Sequence, residues 1–491
     1  MVRSIFVQTV FWKAASAVSW ALVSLLTIRL FQSVEQFGLV SPALLVLGSL
    51  PALDGGFRVA INRRLLAAPD DKIRTEHLAF GQRLSTWFST GAMVLGVLVL
   101  VAYSFTPNAR SSGVSPLFYP ALGLTSGLIL LASALLQQLT GLGLQRRMFA
   151  LQLLMAWLSL AILWAGFRSG AGIWSFLLSQ GLPHAIAIAL AIPMVRTASP
   201  GLRLLDFSWS KHDTGRLREL WPDSSALLQM QVWTLLLYTV DVFIVSWIWK
   251  GPQVGQYSLV ANLFSKLRNL LQSADEAVWP LLTSKQEKGE TISSGVLRFN
   301  GLLYGAAMSV AAVATGPFII GYKDPTWSSG GHFAALIGAR YLISGVASQP
   351  AWWLYGHGHL VTLAGHMRRE LAVSVLLCGP LGWFLGAKGI AVAFVFGTAA
   401  GTLLPIPLEY ARRSGRKLAD ILLQVWTRAL LAGLAAGALA LLGLGFGGPW
   451  WNTVLASGVA LGLTLGAAFG LAAWKARRAG ATERIAIARH L

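Results

Sequence analysis

Runs of about 20 apolar residues, each long enough to cross a bilayer as a helix, recur along the whole chain between short polar corners. They predict helices at 10–30, 37–57, 84–105, 117–143, 148–167, 172–195, 221–249, 253–281, 297–321, 332–356, 370–386, 389–408, 427–446 and 452–474. Most are apolar on every side. The eighth is not. Its polar residues Asn262, Ser265, Lys266, Asn269, Gln272, Ser273 and Glu276 fall within about a third of the circumference at 100° per residue. Tyr257, Val260, Phe264, Leu267, Leu271 and Val278 take the opposite face. Lys266 sits near the middle of this span. A charge at that depth costs roughly 3 kcal/mol or more unless it meets protein or water. The pattern predicts a helix lining a wet cavity. The first span repeats the arrangement more weakly, with Thr9, Lys13, Ser16, Trp20, Ser24 and Thr27 on one face.

Composition supports the same class. The 491 residues are 55% hydrophobic and 12% charged, where a soluble domain carries about 25% charged residues. The chain is therefore expected to be an all-α polytopic membrane protein. A net charge of +20 would suggest nucleic acid in a soluble protein. Here the cations sort by loop: 28 of 39 fall on the side of the N-terminus and five on the other. By the positive-inside rule both termini and the segment 196–220 face the cytoplasm, in the cell (inner) membrane, and nucleic acid is not a partner. The first span, with Lys13 inside it, reads as a retained signal anchor. Cys378 is the single cysteine, so no disulfide framework is expected. Trp221, Trp247, Trp249, Trp279, Trp450 and Trp451 lie at predicted interfaces as an aromatic belt would. No phosphate-binding loop, nucleophile elbow, zinc helix or dinucleotide fingerprint is present, and the outer connections, the longest near 106–116 and 322–331, leave no room for a catalytic domain. His357, His359 and His366 lack an acidic or cysteine partner. Neither an enzyme, a cofactor nor a metal is expected.

An internal repeat is also legible. Val34, Gln36, Phe37, Leu39 and Val40 match Val254, Gln256, Tyr257, Leu259 and Val260 at a spacing of 220, and Gly141 and Gly143 match Gly356 and Gly358 at 215. The expected organisation is two parallel six-helix lobes, 1–195 and 221–408, joined by a cytoplasmic linker 196–220. A basic loop 409–426, two extra spans within 427–474 and a basic tail 475–491 follow.

Two stretches carry a family resemblance. Asp241, Gly251, Val254 to Val260 and Pro280-Leu281-Leu282-Thr283 resemble the polysaccharide-flippase branch of the multidrug/oligosaccharidyl-lipid/polysaccharide exporter superfamily. Leu53-Asp54-Gly55-Gly56-Phe57 is similar to that family's motif at the inner end of its second helix. The resemblance implies two lobes around a central cavity that is polar and cationic. It further implies that an isoprenoid-pyrophosphate-linked oligosaccharide moves from the inner to the outer leaflet by alternating access. Membrane lipids and polysaccharide-assembly proteins are the implied partners, with proton or sodium coupling left open because the second-half motif has no additional acid. An ion-coupled drug exporter of the same fold and a lipid II flippase are the alternatives.

The residues singled out for the cavity are Lys266, Arg268, Arg340, Asn262, Asn269, Lys13 and Asp241. Arg268 and Asp275, two turns apart on one azimuth, have mutual ion pairing as the competing explanation. For Asp241 it is capping or pairing, and for Lys13 and Arg29 it is snorkelling to the interface. Asp54 and Arg58, spaced i,i+4, form a favourable helix pair. With Asp275 and Glu276 they are assigned to coupling or to structural pairing.

Overall fold

The computed structural model describes residues 2–49, 56, 57, 60, 61, 64, 65, 70–198, 206–249, 252–284, 292, 294–328, 331–444 and 450–478. The described residues form helices and turns, with no strands. In order they are α1 (Val2–Arg29), α2 (Val34–Ser49), α3 (Asp71–Ser104), the short α4 (Pro107–Ser111), α5 (Phe118–Gly141), α6 (Gln145–Ser169), α7 (Trp174–Ala198), α8 (Lys211–Ile248) and α9 (Pro252–Ser284). Then come α10 (Ser294–Tyr322), α11 (His332–Val346), α12 (Ser348–Gly356), α13 (Leu360–Leu385), α14 (Ala387–Thr398), α15 (Pro405–Ser414), α16 (Leu418–Leu444) and α17 (Trp450–Arg478). Among the described residues, nine helices are long and apolar enough to cross a bilayer. The chain is an all-α, multi-pass membrane protein. In hydrocarbon only a helix satisfies its own backbone, which accounts for the absence of other secondary structure.

Three helices begin well before their apolar runs. α3 starts at Asp71 rather than near 84, with Asp70 as its cap accepting the Ile73 N–H at 2.7 Å. Likewise, α8 starts at Lys211 and α13 at Leu360. Hydropathy does not see these turns, because charged and polar residues interrupt the apolar ones there, although Leu78, Phe80 and Leu363 are buried.

The chain divides into two compact units, Met1–Thr239 and Val240–Leu491. In the first, Leu78, Phe80, Leu135, Leu139, Leu151, Val195 and Leu220 share one buried core. The last of these comes from the segment 206–220, which is fastened to α3 by charge. Arg83 pairs with Asp213 at 2.7 Å and with Asp206 at 3.5 Å, Arg216 pairs with Glu76, and Arg64 pairs with Glu219 at 3.2 Å. Ser210 completes the cap of α8, its backbone N–H and its hydroxyl donating to Asp213 at 2.9 and 2.7 Å. Gly56, at φ +70°, lies so close to Leu227 and the Ser224 carbonyl of α8 that a side chain there has no room.

In the second unit, the break in the predicted span 332–356 has a local cause. Pro350 has no N–H to offer the Val346 carbonyl four residues back. Asn300 of α10 takes its place, its Nδ2 donating to Val346 O at 3.3 Å and to Gly345 O at 3.0 Å. The predicted span 389–408 is also interrupted. Between α14 and α15 lies one π-helical stretch, Ala399–Leu403, immediately before Pro405, which again lacks the N–H for a regular turn. α16 packs on α10 through small residues: Gly301 and Gly305 lie against the Val425 and Ala429 backbone, and Gly433 against Ser309. Ala306, Ala432, Ala436, Ala440 and Ala460 extend that contact to α17. This is close approach by small residues, the common means of helix association in a bilayer. Leu430, Leu434, Leu441 and Leu442 point outward from α16, as lipid-facing residues do.

Two local arrangements occur in both units. Gln36 at the start of α2 donates to the Ser112 carbonyl at 3.2 Å, and Gln256 at the start of α9 donates to Thr326 and Ser328 carbonyls at 2.9 and 3.2 Å. After α5, Leu144 N bonds Leu139 O at 2.8 Å around Gly143; after α12, His359 N bonds Leu354 O at 2.9 Å around Gly358. Both glycines have φ +77°, the left-handed turn that caps a helix.

Two expectations follow. Gly305→Val, whose side chain would run into the Ala429 backbone, should cost several °C of melting temperature in detergent, whereas Gly462→Ala, which meets open space, should cost nearly nothing. Burial raises the Asp206 and Asp213 carboxyls, but hydrogen bonds from Ser208, Ser210 and Arg83 outweigh it and hold both below the ordinary carboxylate range. Their stabilisation is therefore complete above about pH 4 and is lost as pH falls through the lower folded values. Hydrogen-exchange protection factors of residues 206–219, taken relative to the intrinsic rate at each pH, should hold from neutral pH to about pH 5 and fall below about pH 4. In Arg83→Gln the protection should already be lost at pH 7. Unchanged exchange in that variant would show that the ion pairs do not hold the segment.

Candidate functional site: paired and unpaired buried charge

Tyr257 and Val260 of α9 are buried against the second unit, Tyr257 meeting Phe333 edge-to-face at 5.2 Å. One turn further on, Phe264 stacks on Tyr341 at 6.3 Å and fits the space left by Gly338 of α11. The predicted apolar face is thus the packed face. The polar face points away from it. There Asn262, Ser265, Lys266, Arg268 and Gln272 are half-buried and Asn269 is exposed. Asn262 Oδ1 is buried without a hydrogen-bond partner. Among the described residues, Lys266 makes no ion pair or hydrogen bond. Asn262 and Lys266 are four residues apart, on one face a turn apart.

Arg340 and Asp241 have a different place. The sequence sets them among residues lining a cavity, but both are 2% exposed and they face each other. Arg340 Nη1 donates to Asp241 Oδ2 at 2.8 Å, and the Tyr257 hydroxyl donates to the same oxygen at 2.9 Å. Asp241 Oδ1 accepts the Val242 N–H at 2.8 Å. The guanidinium lies over the Phe394 ring, 4.5 Å from its centroid. One buried charge neutralises another, and α8, α9, α11 and α14 meet around the pair. The physical reason for the pairing is depth: neither group can carry its charge at that burial without the other.

A third buried group, Glu370 of α13, is absent from the sequence-based set. It is 4% exposed and accepts hydrogen bonds from Thr398 at 2.7 Å and Thr402 at 2.5 Å. Thr402 belongs to the π-helical stretch, and Gly401 there leaves room for the Glu370 side chain. The signal was available as a lone acid at the head of an apolar run, but at the assumed end of a span it reads as an interface residue. The side chains of Lys13, Asp54, Arg58, Asp275 and Glu276 lie outside the described residues. Among the described residues, no group of three His, Cys, Asp or Glu side chains could hold a metal ion.

Among the described residues, the long helix α9 carries a polar face, and a neutralised charge pair lies within the second unit. No family model matches the chain, and no curated protein matches it. Solved structures do. The lipid II flippase MurJ in an inward closed conformation aligns at TM-score 0.65 and 11% identity, over 94% of this chain and 97% of that one. An inward-facing multidrug resistance MATE family transporter of the MOP superfamily aligns at TM-score 0.59 and 14% identity, over 84% and 94%. A MOP superfamily transporter from Pyrococcus furiosus, described as having a binding pocket of reversed polarity, aligns at TM-score 0.52 and 13% identity, over 85% and 96%. At these identities the likeness is one of fold.

Losing one member of the buried pair leaves the other charge unpaired. Arg340→Met alone should destabilise by about 3–5 kcal/mol. The double variant Asp241→Asn/Arg340→Met, which removes both charges and keeps an acceptor for Tyr257, should recover most of that loss. Melting temperatures of the four proteins measure the coupling. If the two losses simply added, the pair would not be the interaction that joins these helices.

Proposed function

We propose that this chain is a flippase that carries an isoprenoid-pyrophosphate-linked oligosaccharide from the inner to the outer leaflet by alternating access. The carrying observation is the polar face of α9, where half-buried Lys266 makes no ion pair or hydrogen bond among the described residues and the adjacent Asn262 oxygen is unsatisfied. A pyrophosphate cannot cross about 30 Å of hydrocarbon without compensating charge. A cation held out of bulk water, on the face of α9 opposite the packed Tyr257, Val260 and Phe264, provides it. Arg268 adds a second cation to that face. The sugar chain needs hydrogen-bonding partners along the path, which Asn262, Ser265, Asn269 and Gln272 offer, while the isoprenoid stays in lipid. In this reading residues 1–195 and 221–408 are parallel six-helix lobes, supported by the recurrent glutamine and glycine geometries. The two termini lie in the cytoplasm. The Asp241–Arg340 pair is structural, and its burial argues against Asp241 as the site of a coupling ion.

Lipid II transport is the second reading, favoured by the extent of the fold likeness to MurJ. It uses the same pyrophosphate chemistry on α9 and differs in the sugar. Export of cationic drugs is disfavoured by the sign of the charges on that face.

Lys266→Ala should insert normally and lose about 10² or more in translocation rate, a few kcal/mol for a desolvated charge contact. Lys266→Arg should keep partial activity, and Lys266→Glu should be at least as damaging as Ala. Reconstituted translocation of a polyprenyl-pyrophosphate glycan, with the variant's level in the membrane as control, is the assay. Unchanged transport by Lys266→Ala would remove the cationic path. Transport of lipid II in preference to other glycan lipids would select the second reading.

A further inference from the structure

The segment ahead of α8 carries an apolar feature that the transport reading does not use. Residues 206–210 run back along α3. Trp209 lies against Phe80, with ring centroids 6.2 Å apart, and its indole N–H donates to Thr214 Oγ1 at 3.1 Å. Phe207 meets Trp87 edge-to-face at 5.5 Å. Between the segment and the helix lies an open recess of about 370 Å³, lined by Leu84, Trp87, Phe88 and Trp209. Since the Trp209 nitrogen is engaged by Thr214, the surface it turns to the recess is apolar. Protein does not close the recess: Trp87 and Phe207 are each 48% exposed. It lies on the first turns of α3 that read as membrane-spanning, so lipid has access to it.

Charge defines the occupant. Every acid of residues 206–219 is engaged: Asp206 and Asp213 by Arg83, and Glu219 by Arg64. Exposed Lys211 and Arg218, seven residues and two helical turns apart on one face of α8, make no ion pair among the described residues. The segment therefore presents uncompensated positive charge beside an apolar recess. A protein helix, about 10 Å across, is too wide for that volume. A single hydrocarbon chain is not. We propose that this recess binds an acyl chain of an anionic phospholipid in the leaflet at the basic end of the molecule, with Lys211 and Arg218 drawing its headgroup. The arginine clamp on α3 presents both parts of the site together. Bound lipid anchors the segment at the interface independently of any cargo.

The test uses the full-length protein in phosphatidylcholine vesicles containing a minor fraction of phosphatidylglycerol that bears a photoactivatable group in its acyl chain. Cross-linked peptides are mapped by mass spectrometry. Labelling should concentrate on residues 84–88 and 207–209 and exceed that from the matching phosphatidylcholine probe. Lys211→Glu/Arg218→Glu should lower it by about threefold or more, while labelling of the outward leucines of α16 stays constant. Trp209→Ala should remove it through loss of one wall. Equal labelling by the two probes, or none at these residues, would overturn the proposal. So would displacement of the label by a polyprenyl diphosphate but not by unlabelled phosphatidylglycerol, which would assign the recess to the cargo's tail.

Discussion

A charge within about 30 Å of hydrocarbon has to be neutralised by a partner or kept in contact with water. This chain does both, within one unit. Arg340 and Asp241 are the neutralised case: buried, joined at 2.8 Å, with Tyr257 and the Val242 N–H also donating to the carboxylate. Lys266 is the other case, half-buried and unpaired among the described residues. The two are coupled through α9. Tyr257 ties the packed face of that helix to the ion pair, and nine residues later Lys266 leaves from the polar face. The pair thus fixes the azimuth at which the polar stripe is presented. Burying an ion pair is a weak way to stabilise a protein, so its value here is geometric: it specifies which side of α9 is packed and which presents the polar residues.

The same requirement governs the two interrupted helices. At Val346 and in the π-helical stretch 399–403, prolines free a carbonyl or a turn that lipid could not satisfy. Both breaks occur where another element supplies polar groups. Asn300 serves the first, and the Glu370 carboxylate takes the Thr398 and Thr402 hydroxyls around the second. Small residues on α10 and α16 then let these backbones approach closely enough for the unit to close.

Much of this fold was legible because membrane helices announce themselves one at a time. Helices lie at all fourteen apolar runs, and the amphipathic face of α9 was readable from periodicity alone, down to Phe264 packed and Lys266 not. What periodicity could not supply was partnership across long separations. Arg340 and Asp241 are 99 residues apart in sequence; taken singly, each looks like a charge seeking solvent. The breaks were half-legible, since Pro350 and Pro405 stood inside predicted spans, yet the residue that repairs the first, Asn300, lies on another helix. Helical extensions such as residues 71–83, 211–220 and 360–369 escaped hydropathy because charged residues are interspersed with their buried apolar ones, and the clamp on Arg83 depends on the first two.

The central claim is that the Lys266 face is wet while the Arg340 pair is dry. Cys378 is the single cysteine and is buried, so its replacement by alanine gives a background in which one introduced thiol can be followed. The decisive measurement is the rate at which a membrane-impermeant, water-soluble thiol reagent modifies Lys266→Cys in that background, in inside-out vesicles and intact cells. Modification from one or both sides, slowed by a polyprenyl-pyrophosphate glycan, is the result expected of a hydrated cargo path. A thiol at 266 that resists the aqueous reagent from both sides yet reacts with a lipid-soluble one would place Lys266 against hydrocarbon and contradict the cationic path.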